Sequence, residues 1–209
     1  YGILEHCSRL GYQSPRVVLG SSSDGDRFQI WATAEGDDHL LMECVLSREL
    51  VTPFDQAEPE TVLFCNWMTL RDPVMPFEAG TQALPGQDAP GLGLAREAAE
   101  MLGIIARRLN LSGVALRPAW YHVAYVSRHD FHFADPAREG RFRAMIRDLR
   151  GPLPMVTCAV AEGQVLLNDV PYIWEPLDMV HWFARPFDDA YFSAVGQESS
   201  TSRFAFVDA

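Results

Sequence analysis

The stretch Pro90-Gly91-Leu92-Gly93-Leu94-Ala95-Arg96 places small residues at alternate positions directly before the clearest helix of the chain. Small residues let backbone N–H groups approach a phosphate closely, and a helix N-terminus adds about half a positive charge at the same place. A glycine-rich turn also serves as a tight connection between a strand and a helix, so the motif alone leaves both interpretations open. The helix is predicted from apolar residues at intervals of three and four: Leu94, Ala98, Met101, Leu102, Ile105 and Leu109.

Before this turn the sequence predicts a short helix, a β meander, a fourth strand and a long loop. Stretches rich in β-branched and aromatic residues alternate with clusters of Ser, Asp and Gly that are typical of hairpin turns. The loop contains four prolines and two glycines, and loops of this length are usually functional lids or disordered segments. The predicted ranges are a helix at 3–10, strands at 16–19, 27–34, 39–46 and 61–70, and the loop at 72–90.

After the helix, short strands and helices are predicted to alternate, and the last residues have no assigned structure. The segment 137–149 has charges of both signs and predicts an exposed, salt-bridged helix. The remaining predictions are a strand at 114–116, a helix from Trp120, a strand at 131–133, a helix at 155–161 and a hairpin at 166–174 with Asn168-Asp169 at its turn.

From Pro90 to Phe133, about a fifth of the chain, this pattern resembles the acetyl-CoA-binding core of the GCN5-related N-acetyltransferase (GNAT) family. In that family a strand leads to an Arg/Gln-x-x-Gly-x-Gly/Ala loop, an amphipathic helix, a strand, a helix carrying Ala and Tyr, and a Gly-Phe strand. The corresponding residues here are Gly91 to Ala95, the helix to Leu109, Val114 to Leu116, His122-Val123-Ala124-Tyr125, and Asp130-Phe131.

The resemblance implies an α+β fold, with a GNAT-like twisted, mostly antiparallel mixed sheet flanked by helices and followed by a C-terminal extension. It divides the chain into an acyl-CoA-binding domain at 1–136 and a helical and hairpin extension at 137–209 packed on it. The cosubstrate would be acetyl-CoA or another acyl-CoA, with no metal.

In the GNAT family, which this segment resembles, N–H groups of the turn hold the CoA pyrophosphate, and the end of the preceding strand forms hydrogen bonds with the pantetheine arm. The implied cofactor-binding residues are Met68, Leu70, Gly91, Leu92, Gly93, Leu94, Ala95 and Arg96. Arginines Arg107, Arg108 and Arg117 are either contacts to the CoA 3′-phosphate or ordinary surface residues.

Three features depart from the family pattern. Pro90 stands where the motif prefers Arg or Gln, and the excursion from Pro73 to Pro90 is longer than in the family. The family's frequent general-acid tyrosine falls on Val126, with Tyr125 beside it.

Tyr125 is therefore either the acid that protonates the departing CoA thiolate or a packed aromatic residue. Glu43 and Asp72 are the candidate bases for the amine, and His122 is a further candidate beside the thioester. His122, His129 and His132 lie close in sequence, but no cysteine completes a metal set and no metal site is predicted.

The function predicted from these residues is direct acyl transfer from acyl-CoA to a primary amine. The alternative is a non-catalytic CoA-binding or protein-interaction module with a GNAT-like fold. All 17 basic residues are arginine, so a lysine Schiff base and a P-loop lysine are both excluded.

The net charge of -11 opposes nonspecific binding to nucleic acid or to an anionic membrane and suits a cationic small-molecule or peptide amine. We therefore expect no nucleic-acid and no membrane partner, and a homo-oligomer is left open. The four cysteines form no C-x-x-C pair and are interpreted as reduced core residues. The start at Tyr1 shows no charged-then-apolar leader, which favours a cytoplasmic protein.

Overall fold

A short helix and three long antiparallel strands open the chain. The computed structural model describes residues 2–55, 58–184 and 187–207. Strand pairing aligns Val17 with Ile30, and Ile30 with Met42, so these three apolar residues lie on one face of the meander. The elements are α1 (Ile3–Arg9), β1 (Gln13–Ser22), β2 (Gly25–Ala34) and β3 (Asp37–Val51), which confirms the predicted helix and meander with longer strands.

The next part of the chain is a strand, a long connection and a helix that leads into a short strand. Between Leu70 and Ala95 the described chain has no helix or strand, as the prolines predict. The helix buries Ala98, Met101 and Leu102, whereas Leu109 caps its end and is 41% exposed. These elements are β4 (Glu60–Leu70), α2 (Ala95–Arg108) and β5 (Gly113–Leu116).

Four helices and five strands follow in the described residues. The Asn168-Asp169 turn has positive φ at both residues (50° and 66°), as a tight hairpin turn requires. The elements are α3 (Tyr121–Ser127), β6 (His132–Phe133), α4 (Pro136–Asp148), α5 (Leu153–Ala161), β7 (Val165–Leu167), β8 (Val170–Pro171), β9 (Met179–Trp182), α6 (Asp189–Thr201) and β10 (Phe204–Phe206). The last three elements come from the segment to which the sequence assigned no structure.

The chain divides into two units, and the boundary falls inside β5. The first unit comprises Tyr1–Glu49, Thr61–Ala83 and Gln87–Val114, with strand order β1-β2-β3-β4-β5. The second comprises Leu50–Glu60, Leu84–Gly86 and Ala115–Ala209, with strand orders β5-β9-β6 and β10-β7-β8. This mixed, mostly antiparallel sheet flanked by helices confirms the predicted α+β class. The division at residue 136 stays a prediction.

The charged helix α4 is not the wholly exposed element that its composition predicts. Arg138 and Glu139 are only 2% and 3% exposed. The Arg138 guanidinium donates to the Tyr172 hydroxyl and, at 2.7 Å, to the Glu175 carbonyl, and it lies 4.4 Å from the centre of the Trp174 ring. The aromatic ring and the oxygen acceptors compensate the burial of this cation, and neither is visible in a charge pattern.

Helices α4 and α6 meet at a glycine. A Cβ on Gly140 would lie 2.6 Å from the Glu198 Cβ and 2.8 Å from the Val195 carbonyl oxygen. Only glycine lets the two backbones approach this closely.

All four cysteines are free thiols, and Cys44 and Cys65 face each other with Sγ atoms 3.8 Å apart.

No helix in the described residues has the length and hydropathy that a membrane span requires.

Candidate functional site

The glycine-rich turn alternates between buried leucines and exposed small residues. Leu92 and Leu94 are 4% and 2% exposed and anchor the turn in the first unit, whereas Gly91, Gly93 and Ala95 face solvent. Gly93 has a φ of +71°, and a Cβ placed on it would meet no atom within 4 Å. The turn therefore presents open backbone at the positions where a phosphate would need close approach.

The start of α2 leaves its backbone donors unused. Leu94 occupies the N-cap and supplies no side-chain acceptor. From Leu92 to Arg96 the N–H groups donate to no acceptor in the described part of the chain. These donors and the positive end of the helix dipole together favour an anion at this point.

The end of β4 lies beside the turn. The Leu70 carbonyl oxygen is 3.8 Å from the position of a Cβ on Gly91. The Ser112 N–H donates to the Thr61 carbonyl at 3.0 Å, which joins β4 and β5 near their starts. Met68, Thr69 and Leu70, at the end of the eleven-residue β4, are half-buried.

Pro90, which replaces the family's Arg or Gln, closes the long loop. Its carbonyl accepts the Asp72 N–H at 2.7 Å, so the two ends of the loop lie side by side. Arg71 and Asp88 form an ion pair across the same base.

Asp72 is a structural carboxylate rather than a free base. It is 6% exposed and accepts from the Tyr12 hydroxyl at 2.6 Å and from the backbone N–H groups of Val74 and Met75 at 3.3 and 3.2 Å. Burial, followed by the hydrogen bond to Asp72, raises the pKa of Tyr12. Asp72, which the sequence leaves beside Glu43 as a candidate base, therefore has its carboxylate engaged by three donors.

Glu43 lies in a separate groove of about 710 Å³ on the strands of the first unit. Its carboxylate accepts from Gln29 at 2.7 Å and lies 3.5 Å from Arg27. The lining includes Asn66 and Trp67 but none of residues 91–96.

His122 and Tyr125 are three positions apart on α3, in the second unit. His122 is 9% exposed and its Nδ1 has no hydrogen-bond partner in the described chain. Burial lowers its pKa, so the ring is neutral at pH 7. Tyr125 is half-buried under the Arg128 guanidinium, 3.8 Å from the ring centre, while Val126 is 56% exposed.

The neighbouring His132 contacts a carboxylate. His132 lies 3.1 Å from Glu139 through Nδ1. No group of three or more metal-ligating side chains occurs among the described residues.

Two residues near the turn were not predicted from the sequence. His6 Nε2 lies 3.1 Å from the Leu92 carbonyl oxygen, and the Tyr12 hydroxyl donates a hydrogen bond to the Asp72 carboxylate. Both are at least 60 positions from their partners, so no local motif could identify them.

Comparison with known proteins gives two similar solved structures, whereas no family model and no curated protein matches. The first is the KacTA–DNA complex, with 12% identity over 62% of this chain and 67% of that chain and a TM-score of 0.34. The second is a tyrosine-to-phenylalanine mutant of the AtaT toxin bound to the C-terminus of the antitoxin AtaR and to acetyl-CoA. It shows 8% identity over 73% of this chain and 69% of that chain, with a TM-score of 0.33.

The exclusion of nucleic acid as a partner is wrong, because one of these similar structures is a complex with DNA. A net charge is a sum over the whole surface, and a basic patch or a partner protein can supply the contact to DNA.

The structure itself contains a strand, a glycine-rich turn, an amphipathic helix and a second strand in the predicted order. This order of elements is the one that the resemblance to the GNAT family implies.

Proposed function

We propose that this chain is an acyl-CoA-dependent N-acyltransferase that transfers an acyl group, acetyl in the simplest case, directly to a primary amine. The observation that carries this proposal is the turn at 91–96, with its exposed small residues and unused N–H donors beside the end of β4. A pyrophosphate needs such donors, and an extended amide-containing arm needs a free strand edge.

In this proposal the N–H groups of Leu92 to Arg96 hold the pyrophosphate, and the backbone of Met68 to Leu70 bonds the pantetheine arm. The Arg96 side chain is 87% exposed and pairs with Glu100 at 3.0 Å, so its contribution comes from the backbone. Pro90 supplies no side-chain donor to a phosphate, and its carbonyl instead accepts the Asp72 N–H at the base of the loop.

The catalytic roles follow from the chemistry of the transfer. The amine nitrogen attacks the thioester carbonyl, a C–N bond forms and the C–S bond breaks. The resemblance assigns Tyr125 as the acid for the departing thiolate, and Glu43 or an ordered water as the base for the amine. His122, neutral because of its burial, is the second candidate for that base.

The second candidate function is a module that binds CoA or a protein partner without catalysis. It is favoured by the exposed Val126 at the position of the family's tyrosine. Acetyl-CoA turnover separates the two functions, because a binding module retains affinity for CoA without releasing thiol.

The test is a thiol-release assay with acetyl-CoA and a panel of primary amines, including diamines and lysine- and arginine-containing peptides. Amine-dependent release of CoA supports the transferase. Tight CoA binding without release for any amine supports the binding module instead.

A further inference from the structure

Two contacts tie the N-terminal segment, residues 6–12, to the loop between β4 and α2. His6 Nε2 lies 3.1 Å from the Leu92 carbonyl oxygen, at the centre of the glycine-rich turn. The Tyr12 hydroxyl donates to Asp72 at 2.6 Å, at the start of the loop. One short segment therefore contacts both ends of the connection.

The His6 contact controls the direction of a donor. The Leu92 carbonyl and the Gly93 N–H belong to the same planar trans peptide unit, so they point in opposite directions. When the carbonyl is held towards His6, the Gly93 N–H must point away from it. Gly93 has no Cβ and a φ of +71°, so the peptide unit before it can adopt orientations that a bulkier residue would disfavour. The His6 contact favours one of them.

The Tyr12 contact controls the position of the turn. Tyr12 and Asp72 are both buried, at 4% and 6% exposure, and the Asp72 N–H donates to Pro90 directly before Gly91. Without the hydroxyl, the Asp72 carboxylate keeps only the Val74 and Met75 N–H donors, whose bonds are longer at 3.3 and 3.2 Å. The hydroxyl therefore fixes the residue that pairs with Pro90.

We infer that His6 and Tyr12 are positioning residues that hold the turn at 91–96 in the conformation that accepts a phosphate. This inference rests on the proposed function for its ligand, but the orientation of the turn is a property of the unliganded protein. His6 acts through the Leu92 peptide unit, and Tyr12 acts through Asp72 and Pro90.

The experiment measures two quantities for each variant of the full chain: affinity for CoA by calorimetry, and amide hydrogen exchange of residues 91–98 without ligand. His6→Gln and His6→Asn form the critical pair, because both carry an amide donor but only glutamine places it near the position of Nε2. We expect His6→Asn to weaken CoA binding about tenfold, the effect of one lost hydrogen bond, and to speed exchange in the turn. His6→Gln should keep most of the wild-type affinity for CoA and most of the wild-type protection from exchange in the turn.

Tyr12→Phe should speed exchange at Val74 and Met75 and in the turn, and weaken CoA binding to a similar degree. Ser8→Ala is the matched control, because the exposed Ser8 hydroxyl bonds only the Leu4 carbonyl in the described chain. Its affinity and exchange should equal those of the wild type.

Equal affinity and equal exchange in His6→Asn and His6→Gln would overturn the inference, as would loss in both without rescue by glutamine. If the wild type binds no CoA, the proposed function fails, and the exchange comparison alone then decides whether His6 and Tyr12 hold the turn.

Discussion

The backbone N–H of Asp72 donates to the carbonyl oxygen of Pro90 at 2.7 Å, although residues 73–89 lie between them. The long excursion therefore leaves and returns at one point, and the turn at Gly91 follows β4 in space as it would after a short connection. The loop can therefore be long while the strand, turn and helix keep their order.

Asp72→Ala should lower the free energy of unfolding by about 2 to 3 kcal/mol, because it leaves the buried Tyr12 hydroxyl and two backbone N–H groups without their acceptor. Urea unfolding at pH 7 measures this loss. Asp88→Ala is the control, since its carboxylate is 67% exposed and its ion pair with Arg71 should contribute under about 1 kcal/mol. Equal losses in the two variants would contradict the structural role of Asp72.

Glu139 should make stability depend on acid pH. Burial raises the pKa of Glu139, but bonds from His132, Arg143 and the Phe133 N–H outweigh it, so the pKa lies below its ordinary value of 4.5. A carboxyl whose folded pKa is depressed stabilises the fold above its unfolded pKa, and the contribution disappears as pH falls through the folded value.

Glu139→Gln should therefore cost about 2 kcal/mol at pH 7, and the difference from wild type should shrink below pH 4.5. Urea unfolding as a function of pH measures both values. A constant difference from pH 7 to pH 3 would show that the ionised form is not what stabilises the fold.

Arg138→Met should lower the free energy of unfolding by about 3 kcal/mol, since it removes the cation that bonds Tyr172 and the Glu175 carbonyl inside the second unit. Arg141→Ala, on the same helix, removes a partly exposed guanidinium 3.6 Å from Glu198 and should cost under about 1 kcal/mol. Thermal or urea unfolding compares them, and a smaller loss for Arg138→Met than for Arg141→Ala would refute the assigned role.

Tyr125→Phe should reduce kcat for thiol release about 100-fold while the Kd for acetyl-CoA stays unchanged, because only proton transfer to the thiolate is removed. His122→Ala should reduce kcat by a similar factor if this ring is the base. Val126→Ala changes an exposed neighbour and should leave both constants unchanged. Unaltered thiol release in Tyr125→Phe would rule out the tyrosine as the acid.

Local sequence patterns predict most of the first unit and little of the last forty residues. Alternating apolar residues, turn clusters and the three- and four-residue spacing before Leu109 are local signals, and the structure confirms the elements that they predict. Helix α6 and strand β10 contact segments distant in sequence: the Tyr191 hydroxyl donates to the Phe133 carbonyl, and β10 pairs with β7. Such contacts leave no local pattern.

In the candidate site, too, some residues belong to a local sequence pattern and others depend on contacts between distant segments. The small residues of the turn are visible as a motif, whereas the roles of Asp72, His6 and Tyr12 depend on contacts between segments far apart in sequence. The buried Arg138 is the clearest case in which composition misleads, because a salt-bridged surface and a buried cation over an aromatic ring have the same charge pattern.

The most direct test of the central claim is isothermal titration calorimetry of the wild type, Gly93→Glu and Gly91→Ala with CoA and acetyl-CoA. Gly93→Glu strains a residue with a φ of +71° and places a carboxylate where the pyrophosphate would lie, so binding should be lost. Gly91→Ala adds only a methyl group, in ordinary contact with the Leu70 carbonyl, and should weaken binding much less than Gly93→Glu does. Absence of binding by the wild type, or equal binding by Gly93→Glu, would contradict the claim that this turn holds CoA.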